Sequence, residues 1–388
     1  MKTITVVTGA RSDYGLLKPL LTRVAATAGL RIDVMVTGMH LAPEFGLTVR
    51  EIERDGFPIR DRIECLTASD TPQAIAQSMG LGQIGFAQAF ARSRPELLVI
   101  LGDRTEMLAA ATAALPFRIP IAHIHGGELT QGAIDDAVRH CLTKLCHLHF
   151  VALPEFADRV HQLGETWDRI HVVGAMGLDA IRQTPRLSNA EFAERFGTSL
   201  TESPIVVTFH PVTQEFDRTE WQIDELLAAL SKTDGPLVFT YPNSDTNGRI
   251  IINRIQRFVS QYPLAKVVQN LGSAGYFTLM SHARAMVGNS SSGILEAASF
   301  RLPVVNIGTR QQGRPQPANV IQTDYDRNSI GVALRRAVSE PFIENLCDLQ
   351  NPYGDGRAAE RIVEVLNALP DADALVRKGF HDQPRLAA

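Results

Sequence analysis

The chain has 388 residues, of which 45% are hydrophobic and 21% are charged, and its formal net charge is −4. This length predicts two α/β domains of ordinary size, and this composition is typical of a globular protein in solution. The acidic balance excludes the overall basic surface that binds nucleic acid or anionic membranes, so a polyphosphate ligand would need a local basic site. The four cysteines show no C-x-x-C pair, which argues against a zinc knuckle or a disulfide framework.

Neither a basic n-region nor a long apolar segment precedes the first predicted strand, so we expect a cytoplasmic protein without membrane association. Short β-branched runs then alternate with helical patterns, which predicts parallel strands joined by crossover helices. The first half of the chain has predicted strands at 4–8, 32–37, 97–101, 119–124, 149–152 and 170–173, and predicted helices at 16–26, 71–93, 106–115, 134–146 and 154–163.

The turn after the first predicted strand reads Gly-Ala-Arg-Ser-Asp-Tyr-Gly over 9–15. It lacks the G-x-G-x-x-G pattern of a dinucleotide site, so an NAD enzyme is disfavoured. Arg11 could pair bidentately with a diphosphate as the turn enters a helix. The structural alternative is a capped helix start with a solvated arginine.

Three charged residues, Asp103, Arg104 and Glu106, come directly after the apolar strand at 97–101. Burying a carboxylate is costly unless it is paired, so packing alone does not explain them. An internal pair between Asp103 and Arg104 is the structural alternative to a functional site. We expect a site at this strand end.

The next strand ends in His123, His125, two glycines and Glu128. The two histidines point to one face of the strand, and together with a carboxylate they could bind a metal ion. An acid/base role is favoured, because no H-E-x-x-H or other metal-ligand spacing accompanies them. Asp135 and Arg139 then lie one turn apart on one face of the following helix, for which a solvated helix start is the alternative.

A polar connector near 183–189 leads to a second series of elements with the same plan. Its predicted strands are 205–209, 237–241, 265–268, 285–287 and 303–306. We therefore predict an α/β fold of two doubly wound Rossmann-like domains, a GT-B architecture with an interdomain cleft and with ligands at the carboxyl ends of the strands. The predicted ranges are 1–180 for the N-terminal domain, 181–370 for the C-terminal domain and 371–388 for a charged, loosely held tail.

Polar residues again follow strands in the second half. Prolines end the strands after His210 and Tyr241 and fix the turns there, the second of which carries Asn243. His210 is either a ligand-binding residue or a satisfied core histidine. Arg310 and Arg314 lie in a glycine-flanked loop and supply the local basic site that a phosphate ligand requires.

The stretch 287–296 reads as a strand that runs through a turn of small residues into a helix. Gly288 and Gly293 permit close backbone approach, the serine run supplies hydroxyl groups, and the N-terminus of a helix beginning near Gly293 favours a phosphate. Glu296, about one turn into that helix, could accept hydrogen bonds from both hydroxyls of a ribose. A serine-capped helix in an ordinary α/β protein is the alternative.

These residues together favour an enzyme that acts on a nucleotide sugar by carboxylate acid/base chemistry, with Asp103, Glu128, Asp135 and His210 as its reactive cluster. The sequence has no Ser-His-Asp spacing and no Walker lysine, which argues against a nucleophilic hydrolase.

Several ordered motifs resemble those of the hydrolysing UDP-N-acetylglucosamine 2-epimerases of bacterial sialic acid synthesis. The resemblance runs from about residue 4 to residue 356, and its motifs are 7–15, 36–40, 101–104, 123–128, 139–140, 288–293 and 306–311. It implies a GT-B fold and a two-stage reaction. UDP is eliminated to give a 2-acetamidoglycal, and water then adds with inversion at C2 to release N-acetylmannosamine. It implies no redox or metal cofactor.

The resemblance also implies roles for residues that match the family motifs. Asp103, Glu128 and Asp135 would be the acid/base carboxylates in the N-terminal domain, and His210 would stabilise charge on the leaving diphosphate. The residues implied to bind UDP or substrate, chiefly in the C-terminal domain, are Arg11, Gly15, Arg104, Arg139, Asn243, Ser290, Ser291, Glu296, Arg310 and Arg314. This chain has His125 where the animal enzyme and the non-hydrolysing epimerases carry an acidic residue, so Glu128 is the carboxylate that remains in the turn.

Three alternatives stay open at this point. A closely similar enzyme acts on UDP-N,N'-diacetylbacillosamine in legionaminic acid synthesis. The two sugars differ by small groups, and the sequence does not distinguish which of them the sugar pocket accepts. A GT-B glycosyltransferase would have a similar UDP site but would need an acceptor. A non-catalytic nucleotide-sugar sensor would tolerate loss of Asp103. For all of them we expect a UDP-sugar ligand, and for the epimerase a homo-oligomer, either a dimer or a tetramer.

Overall fold

The structure, a computed structural model, describes residues 1–67, 69, 71–130, 134–242, 247–269, 271–369 and 372–382. The chain folds into two units. Unit 1 comprises Met1–Glu128, Ile134–Ala180 and Tyr353–Ala388, and unit 2 comprises Leu129–Ala133 and Ile181–Pro352. Unit 2 is therefore shorter than the predicted C-terminal domain of 181–370, because the chain after Pro352 packs with unit 1.

Each unit contains one parallel sheet. The strands of unit 1 are β1 Lys2–Thr8, β2 Leu30–Thr37, β3 Ile59–Ile63, β4 Leu97–Leu101, β5 Ile121–Ile124, β6 Leu148–Val151 and β7 Ile170–Val172. Those of unit 2 are β8 Ile205–Thr208, β9 Leu237–Thr240, β10 Ala265–Val268, β11 Ala285–Gly288, β12 Val304–Ile307 and β13 Val320–Thr323.

The α-helices lie between these strands and after the last one. They are α1 Arg11–Ala25, α2 Val49–Arg54, α3 Pro72–Arg92, α4 Thr105–Ala114, α5 Asp135–Leu145, α6 Pro154–Gln162, α7 Met176–Gln183, α8 Asn189–Phe196, α9 Thr219–Leu230, α10 Gly248–Gln261, α11 Gly272–His282, α12 Ser291–Leu295, α13 Arg327–Ala337, α14 Glu340–Glu344, α15 Ala358–Ala368 and α16 Ala372–Val376. Among the described residues, no helix has the length and apolar composition needed to cross a membrane.

The two sheets have the same topology. Their strand orders are β3-β2-β1-β4-β5-β6-β7 in unit 1 and β10-β9-β8-β11-β12-β13 in unit 2. In each, the order reverses beside the first strand of the unit, between β1 and β4 and between β8 and β11. Such a switch point leaves a crevice at the carboxyl ends of the two strands, where ligands of doubly wound folds bind. The predicted doubly wound fold is confirmed.

The strands that sequence reasoning missed are both at sheet edges. β3 reads Ile-Arg-Asp-Arg-Ile and β13 reads Val-Ile-Gln-Thr, so neither is an uninterrupted apolar run. An edge strand is covered less completely and tolerates charged and polar side chains, which also discourage edge-to-edge pairing. The central strands β1, β4, β8 and β11 are buried along most of their length and were found.

The chain after Pro352 packs with unit 1, and described residues of the segment predicted as a tail at 371–388 bond to that unit. Helix α15 packs against α1, and both oxygens of the Asp179 carboxylate accept hydrogen bonds from the first backbone N–H groups of α15, at 2.8 and 2.9 Å. Farther along, Lys378 donates to the buried carboxylate of Glu165. Although burial alone would raise the pKa of Glu165, hydrogen bonds from His149, Lys144 and Lys378 lower it to about 2.

Candidate active site

The candidate site of unit 1 lies at the carboxyl ends of β1, β4 and β5. Because these strands are adjacent and parallel, the loops that follow them emerge at one edge of the sheet. The loop after β4 carries Gly102, Asp103 and Arg104. The loop after β5 carries His125 and Glu128. The polar clusters that were predicted to follow these strands therefore lie along the same edge of the sheet.

Asp103 is held by an ion pair with Arg139 and by a fixed backbone. Gly102, in the left-handed region with φ +74°, donates to the Ile124 carbonyl at 2.9 Å, and its own carbonyl is 2.6 Å from Nε2 of His123. Arg104 lies near Asp13 at 3.6 Å and Glu106 at 3.3 Å. The structure thus shows Asp103 paired with Arg139, and Arg104 beside Asp13 and Glu106.

Arg139 connects the loops after β4 and β5. Its side chain is 2% exposed, one nitrogen of the guanidinium pairs with Asp103, and the other donates to the backbone carbonyl of Glu128 at 2.9 Å. A buried guanidinium is stable only with such partners, so the pair fixes the Asp103 carboxylate relative to the turn of Glu128. The structure thus places Arg139, which was expected to bind substrate, among the acidic residues.

Glu128 is itself 2% exposed, and its Oε1 lies 2.5 Å from Nδ1 of His125. The backbone N–H of Met176 donates to the other ring nitrogen of His125 at 3.2 Å. His125 has a left-handed backbone, with φ +66°, directly before a diglycine. The Glu128 carboxylate is therefore held by the His125 ring, which is itself hydrogen-bonded through both of its nitrogens.

The remaining predicted residues of unit 1 lie nearer its surface. Asp135 is the first residue of α5 and is partly buried, and the neighbouring Asp136 lies 3.8 Å from Arg139. The turn predicted over 9–15 is helical from Arg11 onward, so Gly15 lies inside α1. Arg11 pairs with Glu51 at 3.2 Å, and both side chains are about one-third exposed.

The histidines beneath this edge are neutral at pH 7. Burial lowers the pKa of His123 to about 3 and that of His40 to about 4, although hydrogen bonds to backbone groups act in the opposite direction. His123 donates to the Gly102 carbonyl, and His40 lies between the hydroxyls of Thr8 and Thr48. Among the residues that the structure describes, no group of three His, Cys, Asp or Glu side chains is arranged to hold a metal ion.

The candidate site of unit 2 lies at the carboxyl ends of β8 and β11. Gly288 ends β11 with φ +138°, and a Cβ at this position would collide with the carbonyl oxygen of Thr208. Only glycine fits there. The next residue, Asn289, is fully buried, and its side-chain amide makes two hydrogen bonds with the backbone of His210. The His210 N–H donates to the amide oxygen at 2.7 Å, and the His210 carbonyl accepts from the amide nitrogen at 2.8 Å.

The serine turn leads into a short helix. Ser290 caps α12, which begins at Ser291 rather than near Gly293 and is only five residues long. Ser292 donates to Glu296 at 2.6 Å and accepts from the Tyr276 hydroxyl at 2.8 Å. Burial raises the pKa of Glu296, while the bond from Ser292 acts to lower it.

The two arginines of the loop after β12 contact different parts of the chain. Arg310 and Gln311 both donate to the Asn289 carbonyl, at 3.2 and 2.9 Å, which places the Arg310 guanidinium at the serine turn. Arg314 instead donates to the Leu129 carbonyl at 3.2 Å. Asn243 lies outside the described residues.

His210 is 6% exposed, and its pKa is well below its usual value because of burial first and the Arg310 charge second. It is therefore a neutral imidazole at pH 7. A neutral imidazole can donate one hydrogen bond to an incoming anion, and the charge of a bound anion would raise its pKa.

Sequence reasoning overlooked four residues of these two edges, namely Asp13, Tyr276, Asn289 and Gln311. Asp13 is buried, and its pKa is raised by burial although the Arg104 charge acts to lower it. Asn289 lay inside a motif that had been singled out, but its neighbours drew attention as phosphate-binding serines. Tyr276 lies on α11, far from any motif, and no sequence signal marks it.

Comparison with known proteins identifies a family to which this chain is similar. The family model described as UDP-N-acetylglucosamine 2-epimerase matches residues 22–367. A hydrolysing UDP-N,N'-diacetylbacillosamine 2-epimerase of Legionella pneumophila is 37% identical over 97% of this chain and 99% of its own. A UDP-N-acetylglucosamine 2-epimerase of Neisseria meningitidis serogroup B is 33% identical over 98% of this chain and 99% of its own.

Solved structures show the same fold. A UDP-GlcNAc 2-epimerase from Neisseria meningitidis, crystallised with UDP-GlcNAc, superposes with a TM-score of 0.80 over 95% of this chain and 100% of its own, at 19% identity. The calicheamicin glycosyltransferase superposes with a TM-score of 0.52 over 95% of this chain and 99% of its own, at 15% identity. At these identities the likeness concerns the fold, and it confirms the predicted GT-B class.

Proposed function

This chain belongs to the UDP-N-acetylglucosamine 2-epimerase family, and from that premise we propose that it is a hydrolysing 2-epimerase of a UDP-linked 2-acetamido sugar. The observation that carries the proposal is Arg139, whose buried guanidinium holds the Asp103 carboxylate and the backbone of Glu128. Two acidic side chains fixed relative to each other suit a reaction with two proton transfers.

The proposed reaction has two stages. A carboxylate removes the proton on C2 of the sugar, the C1–O bond breaks, and its electron pair leaves with UDP, which gives a 2-acetamidoglycal. A carboxylic acid then returns a proton to C2 from the opposite face, water adds its hydroxyl to C1, and a carboxylate accepts the remaining proton of that water. Asp103, Glu128 and Asp135 are the proposed acid/base groups, and their separate assignments are a matter for experiment.

The proposed role of unit 2 is to bind UDP and to stabilise the diphosphate as it leaves. The serines at 290 and 291, the Arg310 guanidinium and the neutral His210 imidazole all offer donors to an anion. Glu296 is the proposed acceptor for the ribose hydroxyls. Arg11 and Arg104, partly exposed at the corresponding edge of unit 1, are proposed as further substrate contacts.

The first candidate substrate is UDP-N-acetylglucosamine, which would give N-acetylmannosamine for the synthesis of a sialic-type sugar acid. The second candidate is UDP-N,N'-diacetylbacillosamine, and the observation in its favour is the 37% identity to the Legionella enzyme, against 33% to the Neisseria enzyme. The two sugars differ at C4 and C6, while the chemistry at C1 and C2 is the same.

Incubation of the purified protein with each UDP-sugar tests the proposal. We expect UDP release together with a free sugar whose C2 configuration, read by NMR, is inverted, and we expect deuterium at C2 when the reaction is run in D2O. Release of UDP with retained C2 configuration would indicate a glycosidase-like or transferase reaction. UDP-sugar binding without any turnover would indicate a sensor.

A further inference from the structure

The turn between β5 and α5 places a histidine where its backbone is strained. His125 has φ +66°, a region that residues with a Cβ adopt rarely, and Gly127, with φ +75°, follows two residues later. The N–H of His125 still donates to the Phe150 carbonyl at 2.9 Å, so the residue is held at the end of the sheet. Glycine or asparagine would adopt this backbone more readily. A histidine at this position therefore directs attention to the contacts of its side chain.

The two ring nitrogens of His125 face partners of opposite kind. The Met176 backbone N–H can only donate, so Nε2, 3.2 Å away, must be an unprotonated acceptor. The ring proton of the neutral imidazole then lies on Nδ1, which donates to Oε1 of Glu128 at 2.5 Å. A doubly protonated ring would direct an N–H at the N–H of Met176. The surroundings thus select a neutral ring in a single tautomer.

This arrangement acts on Glu128. A donated hydrogen bond favours the ionised carboxylate and holds Oε1 in place, which restricts the rotation of the carboxylate group. The charged or titratable groups that the structure describes around this turn include His123 on β5, Asp103 after β4, Arg139 on α5, Arg159 on α6, which donates to the Gly127 carbonyl, and Arg314, which donates to the Leu129 carbonyl. None of them occupies the position of the His125 donor.

We infer that His125 is a positioning residue for Glu128: its neutral Nδ1–H imidazole anchors Oε1 and thereby orients the carboxylate that exchanges a proton with the sugar. The inference rests on the proposed function, because it assigns Glu128 a proton-transfer role. It adds to that function a positioning residue and the tautomer of its ring.

A matched pair of variants tests the inference. His125→Asn keeps an N–H donor near the position of Nδ1 and tolerates the left-handed backbone, whereas His125→Gly tolerates the backbone but has no donor. We expect His125→Asn to keep kcat within about threefold of the parent protein. We expect His125→Gly to lose about 10-fold to 100-fold in kcat, with UDP affinity unchanged.

The pH profile separates positioning from a general loss of structure. Without the Nδ1–H donor the ionised form of Glu128 loses a stabilising hydrogen bond, so the limb of the kcat profile that reports Glu128 shifts to higher pH in His125→Gly and stays in place in His125→Asn. If both variants match the parent protein, or if both lose activity equally while binding UDP, the inference is wrong.

The tautomer can be read even if His125→Gly does not fold. In the protein labelled with ¹⁵N-histidine, the signal that disappears in His125→Asn is expected to show a neutral ring protonated on Nδ1 at pH 7. A ring protonated on Nε2, or on both nitrogens, would overturn the inference. This result is independent of turnover: a parent protein that releases no UDP from either UDP-sugar rejects the proposed function, whereas the NMR spectrum still decides the state of His125.

Discussion

The switch-point edges of the two units have the same topology and opposite chemistry. In unit 1 the edge is built from buried and partly buried charges, with Asp103 paired to Arg139 and Arg104 near two carboxylates. In unit 2 it is built from a glycine, serines and the amide of Asn289, and Arg310 donates to a backbone carbonyl. One sheet plan thus supports both an edge suited to proton transfer and an edge suited to anion binding.

The difference shows that the fold supplies the position of a site and the loops supply its chemistry. Charged pairs in unit 1 hold carboxylates rigidly in a partly buried setting, as acid/base groups require. In unit 2, neutral donors and the Arg310 guanidinium together offer hydrogen bonds and a positive charge to a diphosphate. We therefore expect unit 1 variants to lose turnover and unit 2 variants to lose UDP affinity.

The largest effect is expected for Asp103→Asn. Loss of the carboxylate removes a proposed proton-transfer group, so kcat should fall by about 10³-fold or more while UDP affinity, measured by calorimetry, stays within about threefold. The exposed Asp158→Asn on α6 is the matched control and should be fully active. Unchanged turnover in Asp103→Asn would remove Asp103 from the acid/base set.

Arg139→Lys is expected to have the next largest effect. A lysine cannot hold the Asp103 carboxylate and the Glu128 carbonyl together, so we expect a loss of about 100-fold in kcat and about 3 kcal/mol in the free energy of unfolding. Arg335→Lys, at an exposed position of α13, serves as the control. If Arg139→Lys lost UDP affinity and kept kcat, Arg139 would be a substrate-binding residue instead.

Gly288→Ala tests the edge of unit 2. Its new Cβ would meet the Thr208 carbonyl in a backbone region that alanine avoids, so we expect a loss of about 2 kcal/mol or more in stability and at least about tenfold in UDP affinity. Gly331→Ala on α13 adds a methyl group that meets only the end of Arg335 at 3.5 Å, and it should preserve both quantities. A variant with full UDP affinity would separate this turn from the nucleotide.

Acidification should weaken unit 1 through its buried histidines. The pKa of His123 is about 3 in the folded protein and about 6.5 in the unfolded chain, so below pH 6.5 the unfolded chain binds a proton that the folded protein does not. Stability then falls as pH falls, by about 2 kcal/mol between pH 7 and pH 5 for this one residue.

His123→Gln measures that contribution. A glutamine can still donate to the Gly102 carbonyl but does not titrate, so urea unfolding should give a stability near that of the parent protein at pH 7 and a smaller loss at pH 5. An identical loss at pH 5 in both proteins would show that His123 is already protonated in the folded state.

The smallest effect is expected for Glu296→Gln, about fivefold in the affinity for UDP. Because the proposed partner is the ribose, the substitution should have less effect on the affinity for 2',3'-dideoxy-UDP, and the comparison of the two ligands isolates the contact. Burial raises the pKa of Glu296, so its acceptor capacity, and with it UDP affinity, should decline as pH falls through that raised pKa. Equal losses for both ligands would exclude the ribose contact.

The central strands and the positions of the polar clusters could be read from the sequence, because buried parallel strands are continuous apolar runs and functional residues follow their ends. The edge strands β3 and β13 were missed because charged or polar side chains interrupt their apolar pattern, whereas the edge strands β7 and β10 were found. The return of the chain to unit 1 through α15 was also missed, since the helix pattern there does not say which sheet it covers.

The sequence by itself determined a doubly wound fold repeated twice, the family, and the positions of Asp103, Glu128, His210 and the serine turn along the chain. These depend on local patterns of apolar and small residues. Only the tertiary structure decided which charges meet. It paired Asp103 with Arg139, fixed the ring of His125 between Met176 and Glu128, and placed Asn289 against the backbone of His210. Such contacts join residues far apart in the chain, and their geometry exists only after the strands have been ordered into sheets.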